Sequence, residues 1–452
     1  CGIGIAPVSD AHKKDLITYL GTRLVASIPV EIKLPWSTMD EYFKFLEENN
    51  PAVNVAPLAA QGAIRIHEMG FAKGKPTPEQ MANMKAELKK AMEAGCVGMS
   101  SGLVYMPGEY SNAEEIGELC SVMQEYDGFY VTHMRSEGAQ IWEAIDEAIE
   151  IAQRGGVRLA ISHLKLLGND VWNQTDRLFA RLDKARSEVK ELAYDAYPYD
   201  AGCTSLGALL PPWVFEGGAA KMLERIQDPE VRVKMRHDME NGLPGWQNFW
   251  KCAGGWAGFP IATVNNKESE WVMGQTVQAL ADQAGKDPFE WAFDFLAHEN
   301  GRVQVILMGM KDEDVATILA RPETMVGSDS MSLAETGILG TGMPHPRAFG
   351  THARFLAKYV RDEGGCSLET AIEKMTGRSA KHLRLDRRGE IKEGYYADIV
   401  VMDYVNVKDN ATYMDPKHYS TGFDVVVVNG VVALENGEET KNYAGRVLRH
   451  GK

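Results

Sequence analysis

The chain has 452 residues, 44% hydrophobic and 25% charged, a composition that fits a globular protein and excludes a disordered one. With 48 Lys and Arg against 63 Asp and Glu the formal net charge is −15, which argues against nucleic acid or an anionic membrane surface as the main partner. No apolar run reaches the roughly 18 residues of a membrane helix, and six cysteines without a CxxC pair point to a reducing compartment, the cytoplasm, rather than secretion.

The first residue is Cys1 rather than Met, so an upstream segment, with any targeting signal it carried, is expected to be missing. From Cys1 to about Asp200 short apolar runs alternate with amphipathic helices. The runs are CGIGIAPV, AVNVAPLA, GCVGMSSGL, FYVTHMR, RLAISHLK and ELAYDAYPY, and their alternation predicts an α/β fold with a parallel sheet. Ser111 and Glu114 form a capping-box pattern ahead of a stripe of Ile116, Leu119, Cys120 and Met123. A second stripe, Ile141, Ile145, Ala148, Ile149 and Ala152, closes at Gly155 and Gly156; Leu178, Leu182, Ala185 and Val189 form a third. These stripes predict helices packed on strands.

A nucleotide-binding sheet needs a Gly-rich turn straight after a strand, and none stands in that context. Instead His133, His163 and Asp195 stand at successive strand ends, with Asp329 at the end of a later run, in TMVGSDS. Polar groups at strand ends are where barrel enzymes carry their chemistry, so the expected architecture is a TIM-like (β/α)8 barrel over residues 1–384. Seven barrel strands are counted, the first being missing. Between about 202 and 323, ahead of the last strand, Gly, Pro and Trp crowd together in LPPWVFEGG and GLPGWQNFWKCAGGWAGFP. That stretch reads as an inserted lid, helical through TVQALADQAG and DPFEWAFDFLAHE. From Leu385 short strands and turns, with a hairpin at Asn429-Gly430, predict a small β-sandwich-type domain over 385–452.

Two motifs carry candidate chemistry. His133 and His163, 30 residues apart, each close an apolar run; two neutral imidazoles on one rim point to a metal site, the alternative being two core histidines. Gly98-Met99-Ser100-Ser101-Gly102 fits the GxSxG pattern of serine hydrolases, but that elbow requires a helix directly after the turn. Here Pro107 and Gly108 delay the helix to about Ser111, so the context fails.

Longer ordered motifs run nearly end to end: CGIGIAPV, SSGLVYMPGEYS, THMRSEG, ISHLK, DAYPYDAG, VGSDS, HPRAFGT and KMTGRSAKHLRLDRRGEIKEGYYADIVVMD. In these the chain resembles the N-acyl-D-amino-acid deacylases, or D-aminoacylases, of the metal-dependent amidohydrolase superfamily. The resemblance implies a zinc held by Cys1 at the end of the second barrel strand and by His133 and His163 at the fifth and sixth, with one position left open for water. It implies Asp329 as the group that takes a proton and returns it to the leaving nitrogen. It also implies Lys165 and Arg347 as carboxylate binders, Tyr197 as a hydrogen-bond partner and Tyr105 as a pocket tyrosine. The implied reaction converts a small-molecule N-acyl-D-amino acid to a carboxylic acid and a D-amino acid. Another cyclic-amide or dipeptide amidohydrolase, and a non-catalytic binding homologue, are the alternatives.

Two departures from the family stand out, and one absence bears on its neighbours. The family's first-strand His-x-Asp or His-x-His pair is absent. In AAQGAIR, Gln61 takes the place of a family histidine. The run GCVGMSSG lacks the lysine that, once carbamylated, bridges two metals in many amidohydrolases, which disfavours a hydantoinase or dihydroorotase.

Overall fold

The computed structural model describes residues 1–23 and 32–451. In chain order the strands are β1 (Ala59–Ala60), β2 (Gly98–Gly102), β3 (Phe129–His133), β4 (Arg158–Ile161) and β5 (Leu192–Ala196), then β6 (Gly202–Ser205), β7 (Ile261–Thr263) and β8 (Gln304–Leu307), then β9 (Thr324–Val326). Strands β1 to β5 lie side by side in sequence order and β9 follows β5, every pair parallel. β2, β3 and β4 are buried at every residue, because parallel strands between layers present apolar side chains to both faces. That explains the short continuous runs in the sequence.

The helices follow from their stripes. Ile141–Gly155 buries all five predicted stripe residues and ends at Gly156, whose φ of 60° is the left-handed conformation of a helix stop. Thr175–Ala185 buries Leu178, Leu182 and Ala185, but Val189 lies beyond its end. The predicted capping box is displaced by one residue: Asn112 caps the helix Ala113–Cys120, its side chain accepting the Glu115 N–H at 2.9 Å. Ser111 is buried instead, and its hydroxyl donates to Glu115 Oε1 at 2.7 Å beside the buried ion pair Arg65–Glu115.

Two predicted strands are corrected. CGIGIAPV forms no strand, because its backbone groups are spent elsewhere: the Gly2 N–H donates to Ser100 Oγ, Gly2 O accepts the Gly62 N–H, and Ile5 O accepts the Trp36 indole. Of AVNVAPLA only Ala59 enters β1, with Val55 bridging Val447. The parallel sheet therefore has six strands among the described residues, where seven were expected.

The stretch between β5 and β9 carries both predicted helices, Val277–Ala284 and Pro288–His298, capped by Thr276 and Asp287. It also carries a feature the sequence reading did not foresee: β6, β8 and β7 form their own antiparallel sheet. After β9 come β10 (Ile399–Met402), β11 (Phe423–Val428), β12 (Val431–Glu435) and β13 (Glu438–Glu439), a second antiparallel sheet in sequence order. The turn between β11 and β12 is Asn429-Gly430, with φ 50° and 84°, the paired positive values of a tight hairpin. No helix among the described residues is long and apolar enough to cross a membrane.

Candidate active site

The C-terminal ends of the parallel strands face a cavity of about 340 Å³, and all eight side chains singled out by the sequence line it: Cys1, Tyr105, His133, His163, Lys165, Tyr197, Asp329 and Arg347. His133 is the last residue of β3, paired in register with Gly102 of β2. His163 follows β4 and Asp329 follows β9, with φ of 41° and 47°. Left-handed backbone is uncommon outside glycine and clusters at functional sites; here it occurs where the chain leaves the sheet. Asp195 at the end of β5 fixes one of these turns, its Oδ1 accepting the His163 N–H at 2.7 Å.

Cys1 arrives by a different route. Gly2 has φ of 67°, and a Cβ there would lie 2.6 Å from the Gly102 nitrogen, so only glycine lets the chain lie against the end of β2. The result is a Cys1 Sγ 3.3 Å from His163 Nε2, with one ligand atom each from Cys1, His133 and His163 mutually within 4.8 Å. His133 Nε2 is buried and has no hydrogen-bond partner. Burial pushes the His133 imidazole down to about 3, so it is neutral at ordinary pH and its lone pair is free. A thiol and two imidazoles, one an orphaned acceptor, fit a tetrahedral zinc site with one position open.

Glu137, four residues beyond His133, is a site residue that the sequence reading passed over inside THMRSEG. Its Oε1 lies 2.8 Å from His163 Nδ1 and 2.5 Å from Lys165 Nζ, and its Oε2 lies 3.7 Å from His133 Nε2. Burial would push this carboxyl up, but Lys165 and the two imidazoles outweigh it and hold it well below the usual range. His163 Nδ1 also lies 2.8 Å from Lys165 Nζ, so Glu137 and Lys165 together hold that edge of the ring and leave Nε2 turned toward Cys1. The only signal in the sequence was the i, i+4 spacing of His133 and Glu137. Gln247, from the inserted stretch, accepts the Glu137 N–H at 2.5 Å.

Lys165 and Arg347 are buried rather than surface charges. Each already has a partner: Lys165 has Glu137, and Arg347 Nη1 lies 2.8 Å from Asp329 Oδ2. Burial would raise the Asp329 carboxyl, but Arg347 chiefly outweighs it and holds it at about 2. Tyr197 is buried between the two cations, its ring centroid 5.5 Å from Lys165 Nζ and 4.7 Å from Arg347 Cζ. The Tyr105 hydroxyl lies 3.2 Å from Thr204 Oγ1, and its ring packs 5.2 Å from His133. Gln61 lies outside the cavity lining; it is fully buried and its Nε2 donates to Ser111 Oγ, tying the helix Gln61–Met69 to the buried pair behind the sheet. Ser100 is buried within β2, accepting the Gly2 N–H and donating to Ala59 O, so it is no exposed nucleophile.

A parallel sheet that gathers thiol, imidazole and carboxylate groups at its strand ends is the arrangement of the amidohydrolases, and the family model described as "Amidohydrolase family" matches residues 260–434. The D-aminoacylase of Alcaligenes xylosoxydans xylosoxydans is 30% identical over 451 residues, covering 99% of this chain and 79% of the relative. The N-acyl-D-aspartate deacylase of the same organism is 30% identical over 452 residues, covering 100% and 78%. The crystal structure of N-acyl-D-glutamate deacylase from Bordetella bronchiseptica, complexed with zinc and a phosphonate mimic of the tetrahedral intermediate, superposes with a TM-score of 0.78 at 27% identity, covering 99% of this chain and 81% of that one. The chain belongs to the N-acyl-D-amino-acid deacylase, or D-aminoacylase, family of amidohydrolases.

Proposed function

We propose that this chain is a zinc-dependent deacylase that hydrolyses the amide bond of N-acyl-D-amino acids, with Cys1, His133 and His163 as the metal ligands. The observation that carries the ligand set is the convergence of one thiol and two imidazoles within 4.8 Å, with the buried His133 Nε2 left without a partner. On this reading the six parallel strands are the greater part of a TIM-like (β/α)8 barrel within residues 1–384, about 202–323 is the inserted lid, and 385–452 is a small β domain.

When bound, zinc supplies a Lewis acid that polarises the scissile carbonyl and makes water nucleophilic near neutral pH. The chain's own groups do the rest. Glu137 and Lys165 orient His163 through its Nδ1 edge. Asp329, ionised and at the mouth of a strand, takes a proton from the attacking water and hands it to the amide nitrogen as the carbon–nitrogen bond breaks. The substrate carboxylate is received by Arg347 and Lys165 over the Tyr197 ring, with Tyr105 closing the side next to His133. Because Arg347 is paired with Asp329, an arriving carboxylate shares that guanidinium with the base and is thereby brought next to it.

The test is a panel of N-acetyl D- and L-amino acids, each assayed with zinc removed and restored, together with zinc content after extensive dialysis. Turnover of D-substrates that needs stoichiometric zinc is expected. No turnover of any D-substrate by the zinc-loaded protein overturns the assignment, and absence of retained zinc favours a binding homologue.

A further inference from the structure

Among the described residues nothing beyond Arg347 lines the cavity, so the unit over 385–452 offers the substrate no side chain. It is nonetheless packed against the cavity wall from behind. The segment between β10 and β11 carries Asp409 and Tyr413, and both reach the loop between β5 and β6, which also bears the cavity residue Tyr197. The Tyr413 hydroxyl donates to Asp200 Oδ1 at 2.8 Å, and Asp409 Oδ2 accepts the Tyr199 hydroxyl at 3.0 Å. The Asp409 side chain is buried against the helix Arg347–Arg354, where a Cβ added at Gly350 would collide with its Oδ1.

His345 joins this cluster to the cavity. Its ring stands edge-on to those of Tyr199 and Tyr413, with centroids 5.2 and 5.3 Å away. Its Nε2–H donates to Ala201 O at 2.9 Å and its Nδ1 accepts the Arg347 N–H at 3.0 Å, so both nitrogens are committed. That N–H belongs to the first turn of the helix, where no intrahelical acceptor exists, and His345 is what satisfies it. The far end of the helix is tied to the same loop, Arg354 Nε donating to Pro198 O at 2.7 Å. We infer that Asp409 and Tyr413 are positioning residues for the substrate carboxylate: by fixing the loop between β5 and β6 and the ring of His345 they hold the helix that begins at Arg347, and so set where its guanidinium meets the substrate. A misplacement of about 1 Å is enough to cost much of an oriented contact, so a hold applied from behind the wall has leverage on binding. The inference rests on the deacylase reading, in which Arg347 receives the carboxylate, and gives the C-terminal unit a part in it.

The experiment places Asp409→Ala and Tyr413→Phe, each in turn, in the zinc-loaded protein and in its Arg347→Ala variant. It measures kcat/KM for the fastest N-acetyl-D-amino acid of the panel and for its carboxamide, which lacks the carboxylate. Asp409→Ala should lower kcat/KM for the acid about 3- to 10-fold, chiefly through KM and by no more than Arg347→Ala does. It should leave the carboxamide unchanged and add nothing in the Arg347→Ala background. Tyr413→Phe, which deletes one hydroxyl, should act in the same sense by about 2- to 3-fold, and it carries the test if the first variant does not fold. Equal losses for acid and carboxamide, losses that add fully to that of Arg347→Ala, or no loss in either folded variant overturn the inference while leaving the deacylase reading intact. No turnover of any D-substrate by the unaltered protein overturns both.

Discussion

The floor and the roof of the cavity differ in chemistry far more than in burial. The floor is made by the ends of the parallel strands and the loops that leave them, and among the described residues it holds every lysine, arginine and carboxylate of the lining: Glu137, Lys165, Asp329 and Arg347, beside Cys1 and the two imidazoles. The roof is made by β6, β8 and the segment around Phe249, and contributes Cys203, Thr204, Ser205, Phe249, Gln304 and Leu307, none of them charged; burial keeps the Cys203 thiol protonated, pushed up to about 11. Bond breaking needs groups held to a fraction of an ångström, which rigid strand ends provide; choosing a side chain needs only shape and polarity, which an insertion can vary. On the proposed reading, the difference assigns the reaction to the strand ends and leaves the roof free to vary selectivity.

Variants on the floor should therefore damage all substrates alike, and variants on the roof should change their order. The largest effect is expected from Cys1→Ala or His163→Ala, which should abolish stoichiometric zinc and cut kcat/KM about 10³-fold or more for every substrate, as measured by metal analysis and steady-state kinetics. Next, Asp329→Asn should retain zinc and lower kcat by about 10² to 10⁴. Arg347→Ala should raise KM about 10-fold or more, the loss of a charge-assisted contact. It should also leave a pH signature. With the guanidinium gone, burial raises the Asp329 carboxyl from about 2, the base becomes protonated in mild acid, and the acid limb of the rate profile moves upward. An unmoved limb would show that Asp329 is not the group seen in that profile.

Phe249→Ala should sharpen the comparison by raising KM a few-fold for apolar substrates with kcat little changed. A uniform kcat loss across the panel would instead make the roof part of the machinery. The smallest kinetic effect should come from beneath the floor. Lys374 is fully buried and donates to the carbonyls of Leu319 and Arg321, just ahead of β9. Lys374→Met should cost about 1–3 kcal/mol of stability with kinetics unchanged. Burial pushes the Lys374 amine down to about 8 from 10.5, so between those values the unfolded chain binds the extra proton. The native protein should gain stability relative to that variant as pH rises from 8 toward 10.5, measured by denaturant titration at several pH values.

What was legible in the sequence follows the same division. His133, His163 and Asp329 could be located because parallel strands advertise themselves as short buried runs and their ends are few. Lys165, Arg347, Tyr197, Tyr105 and Cys1 came from ordered motifs, and no local pattern would have found Cys1, whose segment forms no strand. Glu137 was missed because it lies in a loop, where no periodicity marks which side chain turns inward. The antiparallel roof was missed for a related reason: β6, β7 and β8 are three or four residues each and pair across long stretches of chain, Gly202 of β6 with Leu307 of β8. The Asn112 cap was misplaced by one residue because Ser111, an equally good cap by type, is drawn inward by the Arg65–Glu115 pair.

Cys1 and His163 stand 162 positions apart, and His133 lies between them. On the proposed ligand set, the chain has no seat for an ion until the βα steps that carry His133 and His163 have closed around Gly2, so loading would be an end point of folding rather than its seed. An ion so held would clasp the two extremes of the segment, and a chelator should lower the melting temperature of the native protein as well as its activity.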